Sequence, residues 1–304
     1  MRTSYRLILA LGALTIFNVA ATAQVSDYTY TTTNGAITIT GYTGPGGAVT
    51  IPSTINGLPV TRIGEKAFAW RTSLTNVTIP NSVTNIGDWA FNDCANLTSV
   101  TIPDYVTIIG EWAFNGCGLT NATIPNSVII IGNTAFRQCT NLTDVTIGNS
   151  VIYIGEGAFS GCNGLTDITI PNNVMSIGSI AFYPCTNLTS LTVDMTTIGD
   201  EFSNIDSLKN VIIGDHVKTI QTWAFWFLTN LTSVTIGNSM IYIGEGAFAY
   251  CNSLTGVYFK GNAPSVGSSP FSSDNNVTVY YLAGTTGWGS ILCGRPTALW
   301  KPQL

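Results

Sequence analysis

Apolar residues recur along this chain on a fixed beat. A leucine opens each unit, at Leu74, Leu97, Leu119, Leu142, Leu165, Leu188, Leu208, Leu231 and Leu254, and successive leucines are 23 residues apart except for one step of 22 and one of 20. An Ala-Phe pair keeps the same beat at Phe68, Phe91, Phe114, Phe136, Phe159, Phe182, Phe225 and Phe248, and Phe202 and Phe271 keep it without the alanine. A period of this length marks a stacked array, because one unit cannot bury its own apolar face while a pile of them can.

Each unit predicts the same local elements. Leu-x-x-Val-x-Ile sets three apolar side chains on one side of a short strand, and its Thr and Val residues favour extended backbone. A Pro or Gly ends that strand, as at Pro80, Pro103, Pro125, Gly148, Pro171 and Gly237. A second extended piece, Val-x-x-Ile, follows. A glycine comes next (Gly87, Gly110, Gly132, Gly155, Gly178, Gly244), where a bend with positive φ is expected. The segment x-x-Ala-Phe-x-x-Cys is too short for a lasting helix and predicts one α or 3-10 turn.

The motifs Leu-x-x-Val-x-Ile and Ala-Phe-x-x-Cys resemble the BspA-like class of bacterial leucine-rich repeats over about residues 59 to 271. The resemblance implies a right-handed repeat solenoid of short parallel strands joined by short helical or 3-10 turns. It further implies a cell-surface or secreted protein that binds other macromolecules and does no catalysis. It carries no particular ligand residues. One rung departs from the pattern: the unit between Leu188 and Leu208 is short, with Asp200-Glu201-Phe202 in place of x-x-Ala-Phe.

The flanks complete the expected domain plan. Residues 1–23 read as a signal peptide: Arg2 and Arg6, an apolar stretch from Leu7 to Val19, and a small-x-small site at Ala21-Thr22-Ala23. The apolar run is shorter than the ~20 residues a spanning helix needs, and no later stretch qualifies. Residues 24–58 are expected to be an N-terminal cap, with a strand from Ala36 to Thr40 and a turn from Tyr42 to Ala48. Residues 59–271 form the solenoid, and 272–304 a C-terminal cap with a strand from Val277 to Leu282 and an irregular cover after Gly284. A solenoid needs both, since a bare end rung exposes core and strand edges.

Composition narrows the function. Only 9% of residues are charged and 45% are hydrophobic, so the chain can build a large core. The formal charge is −5, becoming −7 once Arg2 and Arg6 leave with the leader, and no basic cluster is present to displace counterions from nucleic acid. Enzyme signatures such as G-x-S-x-G, a Walker loop or H-E-x-x-H are missing, and the single histidine, His216, has no identifiable nucleophile to serve. No cofactor and no catalytic residue are expected. Localisation is expected to be secreted or cell-surface, and the partner an extracellular protein or glycan.

Four groups of side chains remain to be weighed. Cys94, Cys117, Cys139, Cys162, Cys185 and Cys251 all follow the repeat Phe by three residues. They read as disulfides of a secreted chain or as a ladder of buried thiols, and the rung spacing of ~4.8 Å is wide for bridges between neighbours. Asp194, Asp200, Glu201, Asp206 and Asp215 gather around the short rung, either as calcium oxygens or as a solvated irregular turn without D-x-D-x-D-G spacing. Threonines align at 75, 98, 120, 143, 166 and 189 and again at 78, 101, 123, 146, 169 and 192, from strand propensity or as a hydroxyl array for a polysaccharide or ordered surface. Trp89 and Trp112 occupy equivalent places in adjacent rungs, and Trp223 the same place further on. They either shield the Phe row or form a ligand surface, widened by Ile108, Ile130 and Tyr153 if those side chains face outward.

Overall fold

A computed structural model describes residues 23–203 and 205–302, so the expected leader lies outside the described residues except for Ala23. The described chain winds as a β-solenoid of about 11 turns with almost no helix. Every turn has three sides. The first carries the Leu-x-x-Val-x-Ile strands, which pair parallel and in register: Asp167–Ile170, Ser190–Val193, Asn210–Ile213, Ser233–Ile236 and Gly256–Phe259 follow one another without a slip. The second carries the two-residue pieces Asn85–Ile86, Ile108–Ile109, Ile130–Ile131, Tyr153–Ile154 and Ser176–Ile177, again parallel. The third is a run of tight turns.

Register is fixed because every inward column is apolar. The leucines of the nine units are fully buried, and the Phe column is at most 1% exposed. The phenyl rings stack along the axis: Phe91 and Phe114 have centroids 5.2 Å apart and planes 1° off parallel. At the short rung the stack loosens, and Phe202 lies 6.2 Å from both Phe182 and Phe225.

The turn side differs from the expectation in one respect. Its amides alternate: Ala90, Asn92 and Cys94 donate to the carbonyls of Gly87, Trp89 and Phe91 within the turn, while Trp89, Phe91 and Asp93 donate to Glu111, Ala113 and Asn115 of the next rung. Positive φ therefore recurs at two places in most turns, and neither is the repeat glycine. One stands two residues before Phe (Lys66, Trp89, Trp112, Thr134, Gly157, Ile180, Trp223, Gly246) and the other two residues beyond it (Trp70, Asp93, Gly116, Gln138, Gly161, Phe227, Tyr250). The repeat glycines serve close approach instead. A Cβ on Gly110 would stand 2.6 Å from the Asp88 amide nitrogen of the rung before, and one on Gly132 2.7 Å from that of Glu111. Steric access between rungs, not backbone handedness, requires glycine there.

Both ladders extend into the flanks. Gly47–Thr50 pairs parallel with Leu74–Thr78, and Ala36–Tyr42 pairs parallel with Leu58–Ile63 while Tyr28–Thr33 folds back on it antiparallel. At the other end Thr278–Leu282 continues the first side. Beyond Gly284 the chain is not irregular throughout: Arg295–Trp300 adds one more parallel strand and pairs antiparallel with Ile291–Leu292.

Candidate functional site

The turn side places Trp89 and Trp112 one above the other. Each sits at the first left-handed position of its turn, which swings the side chain out from the core. Their rings stack face to face, 4.7 Å apart and 7° off parallel. The outer faces are covered as well. Lys66 of the preceding rung holds its Nζ 5.9 Å from the Trp89 ring, and the guanidinium of Arg137 in the following rung lies 5.5 Å from the Trp112 ring. Trp112 Nε1 donates to Glu111 Oε1 at 3.0 Å. The result is a cation–indole–indole–cation pile that offers its ring edges to solvent, each cation adding roughly 0.5–1 kcal/mol at an exposed site.

The second side carries an apolar strip. Ile108, Ile130 and Tyr153 lie in register on successive strands. Ile108 is exposed and the other two are half-buried. In the neighbouring column Ile129, Ile152 and Met175 are exposed, Met175 to 80%. The strip thus spans four rungs, about 14 Å along the axis at a parallel-strand spacing. Its corner meets the turn side where Tyr153 Oη donates to Asn133 Oδ1 at 3.4 Å. The sequence pattern reached three of the six residues; Ile129 and Ile152 stand one position before Ile130 and Tyr153, and Met175 holds the same earlier place one rung further on.

The short rung does not gather its acids. Asp194 accepts from the His216 backbone amide and holds the His216 ring, Oδ2 to Nδ1 2.6 Å. Asp215 accepts from the amide of Asn238 at 3.0 Å, and Glu201 from that of Gly199 at 3.1 Å. Asp194 and Asp215 tie one rung to the next, as Asp88 does for Glu111 and Asn133 for Glu156, whereas Glu201 closes on its own turn. Among the described residues no three His, Cys, Asp or Glu side chains come together as a metal site would need.

The threonine and cysteine columns also have structural work. Thr98, Thr143 and Thr189 each donate a hydroxyl to the backbone carbonyl one rung back. The second threonine column faces solvent, and Thr101, Thr123 and Thr146 floor an open hollow of about 520 Å³ with Asp104, Asn126 and Asn149 at its side. The six ladder cysteines are free and buried. Each thiol donates to the carbonyl of a Phe in the preceding rung, from Cys94 to Phe68 at 3.1 Å through Cys251 to Phe225 at 3.2 Å. Burial pushes the Cys139 and Cys185 thiols up to about 12.

A second aromatic group lies further along the turn side. Trp223, Trp226, Phe227 and Tyr250 are all 41–49% exposed. Trp226 and Phe227 take places that other rungs fill with Asn92 or Asn115 and with Asp93 or Gly116, and Tyr250 sits one rung beyond Phe227. Of these only Trp223 was visible as an equivalent of Trp89. For Trp226 and Phe227 the signal was the aromatic run Trp223-Ala224-Phe225-Trp226-Phe227, whose four rings cannot all enter one core column.

Comparison with known proteins agrees with this architecture. Residues 61–189 and 176–288 match the family described as the BspA type leucine rich repeat region, in six copies. No curated protein sequence matches the chain. Among solved structures, a leucine-rich repeat protein from Bacteroides ovatus is 26% identical, covering 84% of this chain and 94% of its own, with a TM-score of 0.39. The T. pallidum leucine rich repeat protein is 28% identical, with coverages of 77% and 90% and a TM-score of 0.45. The pneumococcal vaccine antigen PcpA, 18% identical over 85% of this chain and 80% of its own, shares the fold with a TM-score of 0.52.

Proposed function

The chain belongs to the BspA-type leucine-rich repeat family, and from that premise we propose that it is a secreted or cell-surface module that binds an extracellular protein and performs no chemistry itself. The apolar strip of Ile108, Ile129, Ile130, Ile152, Tyr153 and Met175 carries this reading. A rigid parallel sheet holds it, so little ordering entropy is lost on contact. Burying one such side chain contributes about 1.5–3 kcal/mol, and a partner covering the strip would have its anchors in two adjacent columns. The edges of Trp89 and Trp112, around the corner from Ile108, extend the contact. In this reading residues 1–23 direct export, and the terminal strands at 24–58 and 272–304 close the stack against edge pairing.

The test is a binding screen of the mature chain against purified extracellular-matrix and serum proteins. Ile129→Lys with Ile152→Lys should abolish any interaction found while leaving the circular dichroism spectrum intact, because both side chains point to solvent. Binding that survives this double change and is lost with Asp200→Ala and Glu201→Ala would move the contact to the short rung and overturn the reading.

A further inference from the structure

We propose that the short rung is a hinge, at which the part of the solenoid before Leu188 and the part after it rock against each other about the first-side sheet. This rests on the backbone ladders and not on the binding strip. On the first side the ladder runs straight through: Ser190–Val193 pairs in register with Asp167–Ile170 before it and with Asn210–Ile213 after it. On the second side it stops. Ser176–Ile177 pairs back to Tyr153–Ile154 and Thr197–Ile198 pairs forward to Thr219–Ile220, but the two do not pair with each other. The turn side stops at the same step. The amides of Gly157 and Phe159 still reach Ser179 and Ala181 of the next rung, whereas those of Ile180 and Phe182 donate to no carbonyl among the described residues.

The sequence explains the double break. The unit that opens at Leu188 is three residues short, and the shortfall falls on the two sides that lose their ladders. Asp194 alone turns the corner that Pro171, Asn172 and Asn173 turn in the rung before, and one residue is missing between Gly199 and Phe202. The amides of Gly155 and Gly178 donate one rung back, to Ile131 and Ile154. The Gly199 amide would reach Ile177 by the same rule, but it donates to Glu201 Oε1 at 3.1 Å instead. Side-chain links across the break lie beside the first side. Ser207 Oγ donates to the carbonyls of Cys185 and Leu188 at 3.0 and 2.8 Å, and the His216 ring, held by Asp194, stands 3.5 Å from Asn172 Nδ2 two rungs back.

The core loosens at the same place. Phe202 lies 6.2 Å from the ring on either side, against 5.2 Å for Phe91 and Phe114. Hollows of about 160 and 370 Å³ open there, both bordered by Tyr183 and Ile205. Gaps on the first side are of another kind. That side is interrupted between Asp144–Ile147 and Asp167–Ile170, yet at that step the second side stays paired and the Phe159 amide still crosses. Two laddered sides brace a rung against rotation, while one leaves an axis. Each rung touches only its neighbours, so nothing more distant holds the joint. Motion follows where backbone bonds are few and packing is thin. Rocking changes how far Met175, on the last rung before the break, lies from the exposed Trp223 and Tyr250 beyond it.

The experiment measures distances between paired spin labels in the full chain carrying Cys293→Ser, in which the ladder thiols are buried. Three pairs each span four rungs, roughly 19 Å at the parallel-strand spacing. Glu156→Cys with Glu245→Cys crosses the break on the turn side. Asp144→Cys with Ser233→Cys crosses it on the first side. Glu65→Cys with Glu156→Cys stays before it. The turn-side crossing pair should give a distance distribution at least about twice as wide as the other two. Equal widths overturn the hinge. The Ile180 and Phe182 amides should exchange at least about tenfold faster than those of Phe91 and Phe136, and equal protection overturns it as well. Replacing residues 188–207 by a copy of 165–187 restores a full rung and should narrow the crossing pair to the width of the others. A repaired chain that folds and stays as wide would show that the motion does not arise at the short rung, and if it does not fold, the parent's label widths and exchange rates decide alone.

Discussion

The six-membered ring of Trp223 occupies the space that a side chain at position 246 would fill: a Cβ on Gly246 would collide with Cζ3 and Cε3 of the indole. Gly157 has the same place in its turn and nearly the same backbone, φ 59° against 56°, but a Cβ there meets Thr134 Cγ2 at 3.2 Å and Ser160 Cβ at 3.7 Å, and no ring. The pair separates backbone strain from ring displacement. Both Gly157→Ala and Gly246→Ala should lower stability by roughly 1–2 kcal/mol for a non-glycine residue held left-handed. Only Gly246→Ala should also shift tryptophan emission, because only there must an indole move. Equal emission spectra for the two variants would show that Trp223 does not rest on that glycine.

The Phe column gives a graded prediction. Phe114 is fully buried between rings 5.2 and 5.3 Å away. Removing it should cost about 3–5 kcal/mol in urea denaturation, the usual range for emptying a tight aromatic site. Phe202 is as deeply buried, but both neighbouring rings stand 6.2 Å off. It makes poorer ring contacts, and Phe202→Ala should cost less than Phe114→Ala. A larger loss at Phe202 would mean that the short rung, rather than the regular ones, governs cooperativity along the stack.

The columns were legible in the sequence because burial in a solenoid is written as a period: Leu97, Phe114 and Cys117 repeat on the same beat and point the same way. The adjacency of Trp89 and Trp112 followed from the same arithmetic. What lay outside it were contacts between different columns. Lys66 holds the Trp89 place one rung earlier, so the period reaches it, but Arg137 covers the Trp112 face from a different repeat position, and nothing in the period ties it to the pair. The glycine assignment missed for a related reason. Sequence placed Gly110 at a bend, but its role is set by the Asp88 backbone one rung away, while the left-handed conformation falls to Trp112. The aromatic group around Trp223 combines both effects, drawing on three places in one turn and on Tyr250 in the next.

The thiol ladder should be silent to a thiol reagent in the native protein and fully reactive after denaturation without reductant. Its pH dependence follows from burial, which lifts Cys139 and Cys185 from 9.0 to about 12. An acid whose folded pKa is raised stabilises the fold below its unfolded pKa and ceases to as pH passes the folded one. Stability from these residues is therefore complete below about pH 9 and lost as pH climbs toward 12. Cys139→Ala should flatten part of that decline. An alkaline denaturation curve identical in the variant would show that the thiol already ionises freely.

Asp274 closes the cysteine column at the C-terminal end, three residues after Phe271 as Cys251 is three after Phe248, yet it brings a carboxyl where the column brings a thiol. It is 1% exposed, and neither carboxyl oxygen has a hydrogen-bond partner among the described residues. Arg295 comes near, but its guanidinium donates to the Phe271 carbonyl at 2.8 Å and to Asn275 Oδ1 at 3.3 Å. Burial outweighs that positive charge and pushes the carboxyl from 3.8 up to about 7. The sign follows from linkage: the unfolded chain releases this proton near pH 4, the folded one near 7, so the folded state is favoured at low pH and loses that advantage as pH rises through 7. Closure of the last rungs should therefore weaken between pH 4 and 7, opposite to the trend set by carboxylates paired in the native state. Asp274→Asn keeps the shape and removes the proton equilibrium. Hydrogen exchange of Thr278–Leu282 and Arg295–Trp300 should speed up from pH 5 to 8 in the parent, after correction for intrinsic rates, and stay level in the variant. If the two proteins show the same corrected profile, Asp274 is not the group that titrates there.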